Sequence, residues 1–133
     1  ILHDIGKYVN LRDHHKNSYD LINNSSIFGL SEDDKKKIAI LSYFHSKKEP
    51  SIDHRFFATY NDSEKIKIIK LIAILKVADS LDRSHKQQVK DIIIKIDNSN
   101  MILELAIADE PLIEKSELFS EVFGLNVKLI LRR

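Results

Sequence analysis

Cysteine is missing from all 133 residues, so neither a disulfide nor a thiolate metal site is available. That absence fits a reducing compartment, and a cytoplasmic location is expected. Two prolines and three glycines leave few spacers between elements, and no linker, repeat or low-complexity segment stands out. No apolar run suffices to cross a bilayer: the best, residues 66–81, is broken by Lys67, Lys70, Lys76 and Asp79. No membrane partner is therefore expected. Neither sign of charge dominates. A net charge of +1 gives no global field and argues against a dedicated nucleic-acid binder, while leaving room for local basic patches. The N-terminus is not a secretory signal. It opens, without methionine, on "ILHDIGK", which reads as the end of an apolar helix stopping at Gly6. A helix that opens without a cap implies sequence upstream, so the chain is expected to be a fragment of a longer one.

What is present suits one domain with a small appendage. Apolar residues are 43% of the chain, enough for a chain of this size to bury a real core. The pattern predicts a short helix over residues 14–24 with Tyr19 and Ile22 inward. Ser31 is the expected N-cap of a second helix running to about residue 47, with Asp34 completing a weak capping box. Ile38, Leu41 and His45 share one face of it. Residues 53–60 have room for one more turn. Asp62 or Ser63 is expected to cap a long helix to about Arg83, apolar on nearly every side and so mostly buried. After Gln88 the composition turns β-rich. Strands are expected over 92–97 and 101–107, joined by a polar turn. Pro111 suits the first turn of a helix that ends near Gly124, and "LNVKLIL" closes as a third strand. The fold class expected is mainly α: a helical domain over residues 1–88, then a small ββαβ unit over 89–133.

Five residues carry the chemistry: His3, Asp4, His14, His45 and Asp79. His45 and Asp79 lie on apolar helix faces and should turn inward. A buried carboxylate demands a cation, a metal or strong donors. Imidazole and carboxylate together suit Mn, Fe, Zn or Mg. An adjacent His-Asp pair can offer a nitrogen to one metal and a bridging oxygen to two, a centre able to activate water on a phosphoester. The plainer reading is a hydrogen-bonded polar cluster in a helical core.

"LHDIGK" with "VADSLD" resembles the HD superfamily of metal-dependent phosphohydrolases. That resemblance implies His3 and Asp4 as the paired ligands, His14 and His45 as the extra histidines of a two-metal subset, and Asp79 as the distal ligand. The family's upstream histidine is absent. "LHDIGKYVNLRDHHKNSYDLI", "LKVADSLDRSH" and "FSEVFGLNVKLIL", in that order, are similar to the C-terminal half of exopolyphosphatase / guanosine pentaphosphatase proteins. This implies a parent phosphohydrolase acting on inorganic polyphosphate or guanosine pentaphosphate, with Mg-dependent catalysis in upstream domains. The present portion, HD-like and then α+β, would contribute polyphosphate binding and homodimer contacts, and its own catalytic residues are unknown. The retained HD residues leave open a second site holding Mn, Fe, Zn or Ni.

Lys7, His15 and Arg83 are candidate phosphate ligands. Their plainer roles are a solvated lysine after a helix end, a solvent-facing histidine, and an ion pair of Arg83 with Asp82 or Asp79. The Lys35–Lys37 triplet reads as a solvated helix face or, with His54 and Arg55, as part of a track for a polyanion.

Overall fold

The computed structural model describes residues 2–46, 48–106 and 114–132. The chain is mainly α-helical with one three-stranded sheet. It divides into two compact units, residues 1–72 and 73–133, and the boundary falls inside a helix, upstream of the change of composition at Gln88.

The first unit begins with a 3₁₀ helix, Leu2–Tyr8, which runs through Gly6 rather than stopping there. Helix α1 (His14–Asn24) buries Ser18 and Ile22, and Tyr19 lies half-buried, stacked on Phe56 with ring centroids 4.2 Å apart. Helix α2 (Glu32–Phe44) is capped as its sequence predicts: the Asp34 N–H donates to Ser31 Oγ at 3.0 Å. Its buried residues are Lys35, Ala39, Ile40, Ser42 and Phe44, followed by His45 at the C-cap. Ile38 and Leu41 are half-buried, so the buried stripe is rotated from the expected one and the helix ends earlier. A single 3₁₀ turn, Arg55–Phe57, fills the segment where one more turn was expected, with Phe56 and Phe57 buried.

Helix α3 (Asp62–Leu81) runs across the boundary between the units. Its cap is neither Asp62 nor Ser63. Asn61 Oδ1 accepts from the Glu64 N–H at 3.0 Å and Glu64 Oε2 accepts from the Asn61 N–H at 3.2 Å, a reciprocal capping box. Ile68, Ile69, Ile72, Ala73 and Val77 are buried, whereas Ile66, Leu71 and Ile74 are about half exposed, so burial is one-sided rather than all round.

In the second unit, β1 (Ile92–Asp97) and β2 (Asn100–Leu105) form the expected antiparallel hairpin, with Asn98 in the left-handed region at the turn. β3 (Asn126–Leu131) pairs parallel to β2, giving the order β1-β2-β3. Helix α4 (Glu117–Phe123) ends on Gly124 at φ 67°, where only glycine is unstrained. The expected helix start at Pro111 and strand end at residue 107 lie outside the described residues. β2 alternates half-buried and buried, placing Met101, Leu103 and Leu105 in the core of this unit.

Candidate metal centre

Three elements and one close approach assemble the site. The 3₁₀ helix carries His3 and Asp4 on consecutive residues, and α1 presents His14 at its first position. They meet because Gly6 has no side chain: a Cβ there would lie 2.1 Å from the His14 carbonyl and 2.4 Å from the Ser18 nitrogen. Ser18, fully buried, fastens the contact. Its Oγ accepts from the Gly6 N–H at 2.9 Å and donates to the His3 carbonyl at 2.9 Å. From α2, His45 enters at 2% exposure.

His45 Nδ1 lies 2.6 Å from the Ser42 carbonyl. A carbonyl only accepts, so Nδ1 holds the proton and Nε2 offers its lone pair to the site. That Nε2 is 3.3 Å from Asp4 Oδ1 and 3.4 Å from His14 Nε2, and His14 Nε2 is 3.6 Å from the same Oδ1. These three atoms form a nearly equilateral triangle. Tetrahedral ligands at 2.0–2.2 Å from an ion stand about 3.3–3.6 Å apart, so the triangle has the dimensions of one face of such a polyhedron. His3 Nε2 approaches the other carboxylate oxygen at 3.4 Å, and its ring meets the His45 ring edge-on at 4.9 Å. His3, Asp4 and His45 place their donor atoms within 4.8 Å of one another.

The electrostatics favour an ionised Asp4. Burial pushes its carboxyl up, but the hydrogen bond from the Lys7 ammonium, with the neighbouring His3 and His45 rings, outweighs burial and holds it below the usual carboxylate value. An anionic oxygen beside imidazole lone pairs is a donor set that calls for a proton or a divalent cation between its members. The residues present therefore fit a borderline metal such as Zn, Mn, Fe or Ni.

The other sequence candidates are placed as follows. Lys7 Nζ is 2.6 Å from Asp4 Oδ2, on the carboxylate rather than out in solvent. His15 packs edge-on against Tyr43 at 5.1 Å, and its Nε2 has no hydrogen-bond partner among the described residues. Burial and the Lys48 ammonium hold its pKa below the usual histidine value, so it is neutral at pH 7. Asp79 belongs to the second unit, where Lys115 Nζ contacts its Oδ2 at 2.5 Å. Arg83 pairs with Glu114, not with Asp82 or Asp79. Asp82 Oδ1 instead accepts from the Gln87 N–H at 2.8 Å, closing the chain after α3. Of the lysine triplet, Lys35 is buried and paired with Glu32 at 2.8 Å, Lys36 donates to Thr59 at 2.8 Å, and Lys37 pairs with Asp33. His54 accepts from the Phe56 N–H at 3.3 Å, and Arg55 lies over the Phe56 ring at 5.3 Å.

A family model described as "Ppx/GppA phosphatase, domain III" matches residues 1–122. The chain belongs to the Ppx/GppA phosphatase family. No curated protein matches it. The matched Ppx/GppA domain III span includes His3, Asp4, His14 and His45. Three residues that position this cluster escaped sequence reasoning: Gly6, Ser18 and Ser42. Gly6 had a visible signal, since a glycine directly after "HDI" invites a close approach. Ser18 and the Ser42 carbonyl carry none, because their roles exist only once the 3₁₀ helix, α1 and α2 have met.

Proposed function

We propose that this chain is the HD-like, C-terminal portion of a cytoplasmic Ppx/GppA phosphohydrolase whose substrate is inorganic polyphosphate or guanosine pentaphosphate. The family match over residues 1–122 carries this reading. In it, the Mg-dependent catalytic groups belong to domains upstream, and this portion supplies phosphate-binding surface and the contacts of a homodimer.

A second reading has one specific observation in its favour: the triangle of Asp4 Oδ1, His14 Nε2 and His45 Nε2, with edges of 3.3–3.6 Å. A divalent metal held by these residues and His3 would supply Lewis-acid activation of water and of a phosphoryl oxygen. The chain's own part is preorganisation. Ser42 fixes the His45 tautomer, the Lys7 ammonium holds Asp4 ionised, and Gly6 and Ser18 set the approach of the 3₁₀ helix to α1.

Elemental analysis of the purified chain and of Asp4→Asn, with phosphate release from polyphosphate measured on both, separates the two. The first reading expects polyphosphate binding, no release by this chain alone, and the same behaviour in Asp4→Asn. Near-stoichiometric metal with phosphate release, both lost in Asp4→Asn, would establish the second reading in its place.

A further inference from the structure

β1 is an open edge of the sheet: among the described residues it pairs with β2 and nothing else. All six of its residues, Ile92-Ile93-Ile94-Lys95-Ile96-Asp97, are exposed, Ile94 at 60% and Ile96 at 68%. Natural sheets usually shorten, charge, kink or cover such an apolar edge, because its free N–H and C=O groups invite another strand. This one has no proline and a single lysine, itself paired within the sheet to Glu104.

The register fixes what the edge offers. The Ala106 N–H donates to the Asp91 carbonyl at 3.4 Å, one step beyond the pair Ile92↔Leu105. Hydrogen-bonded pairs recur at every second residue of an antiparallel ladder. Asp91, Ile93, Lys95 and Asp97 therefore commit their main-chain groups to β2. Ile92, Ile94 and Ile96 turn theirs outward. Their side chains line an apolar groove of about 420 Å³, together with Ile74, Met101 and Phe119.

We infer that β1 pairs antiparallel with β1 of a second copy, about a two-fold axis at Ile93, joining two three-stranded sheets into one of six strands. This deepens the homodimer of the proposed function, on which it rests, by naming the surface. Two constraints select the register. The outward-facing residues must oppose one another, so even numbers meet even numbers. Charges must then match. An axis at Ile93 sets Ile92 opposite Ile94 of the copy, Ile93 opposite itself, and Asp91 opposite Lys95 twice over. An axis at Ile94 sets Asp91 against Asp97, and one at Lys95 sets that lysine against its own copy, both like-charge oppositions that destabilise a sheet. An axis at Ile92 matches no charges, and one at Ile96 runs Ile94 into the turn residue Asn98. The strand is thus complementary to itself, as an isologous interface requires. In the pairing, isoleucines that line the groove extend its wall with those of the copy.

The absence of cysteine makes the test clean. Across this interface Ile93 faces its copy in a non-hydrogen-bonded pair, with Cα atoms about 4.5 Å apart, within disulfide reach. Ile93→Cys should give a covalent dimer on mild oxidation, and Lys128→Cys on β3 should not. Ile94→Pro removes an outward N–H while sparing the β2 ladder. It should halve the mass seen by light scattering and leave the circular dichroism unchanged. A dimeric chain in which Ile93→Cys fails to cross-link and Ile94→Pro stays dimeric would overturn β1 as the surface while preserving the homodimer. A chain that is monomeric at every concentration would remove both.

Discussion

A methyl group at position 6 would stand 2.1 Å from the His14 carbonyl, inside the backbone of α1, and nothing flexible lies there to give way. Gly6→Ala must therefore push the 3₁₀ helix off α1, and its cost belongs with overpacking, about 1–3 kcal/mol. Ser18→Ala leaves the shape but strands the Gly6 N–H and the His3 carbonyl, a loss of about 1–3 kcal/mol. Urea unfolding followed by circular dichroism measures both, and a change under about 0.5 kcal/mol in either variant would contradict this account of the contact. At this scale the sequence offered His3, Asp4, His14 and His45, because donor chemistry shows in residue type, and for the same reason it offered Asp79, which lies in the second unit beside Lys115. It did not show what brings the first four together. That work falls to a missing Cβ and one buried hydroxyl, and neither has a periodicity. Arg83 illustrates the converse: its nearby carboxylates, Asp79 and Asp82, drew the expectation, whereas the observed partner Glu114 is distant in sequence.

Element boundaries were legible where a local signal stood alone. Ser31 before an acidic first turn, Gly124 after α4 and the polar turn between two isoleucine-rich runs each sit as expected. At the start of α3, "NDS" offers three capping residues in a row, and the decision rests on what lies three positions on. Only Asn61 has a glutamate there, Glu64, and the reciprocal bonds follow. Asn61→Ala should cost about 1 kcal/mol, as cap removals do, while Ser63→Ala should stay within about 0.5 kcal/mol. Thermal unfolding of the two variants side by side decides it, and the opposite ranking would return the cap to Ser63. The end of α2 was harder to see. Its buried stripe includes Lys35 and Ser42, polar residues whose burial depends on Glu32 and on the helix's own backbone, so hydropathy alone centres the stripe on Ile38 and Leu41, which are half-buried, while His45 turns inward as expected.

For the whole molecule, a net charge of +1 supplies no long-range attraction for a polyanion, and the most basic run is already engaged. Lys35, Lys36 and Lys37 have Glu32, Thr59 and Asp33 as partners, and Lys36 and Lys37 also lie over the Tyr60 ring, at 5.3 and 5.6 Å. On the proposed reading, polyphosphate must displace these local contacts, so its binding should be weak and carried by exposed, screened charges. The apparent affinity should fall roughly tenfold or more between about 0.05 and 0.5 M salt. Titration of labelled polyphosphate at several salt concentrations tests this, and tight binding indifferent to salt would point to a buried, dedicated site instead.

The two ladders of the sheet differ in how far apart their partners lie along the chain. β1 meets β2 across a tight turn, Asp97 opposite Asn100, whereas every β2–β3 pair joins residues 26 apart, from Asn100↔Asn126 to Leu105↔Leu131 (126 − 100 = 131 − 105 = 26). Local pairs close early and distant ones late. Refolding is therefore expected to zip the hairpin first, leaving the far side of β2 bare beside Met101, Leu103 and Leu105 until β3 arrives. In that interval the central strand is itself an edge, open to any β3 within reach, so the speed at which each chain delivers its own β3 governs how often neighbouring chains exchange strands.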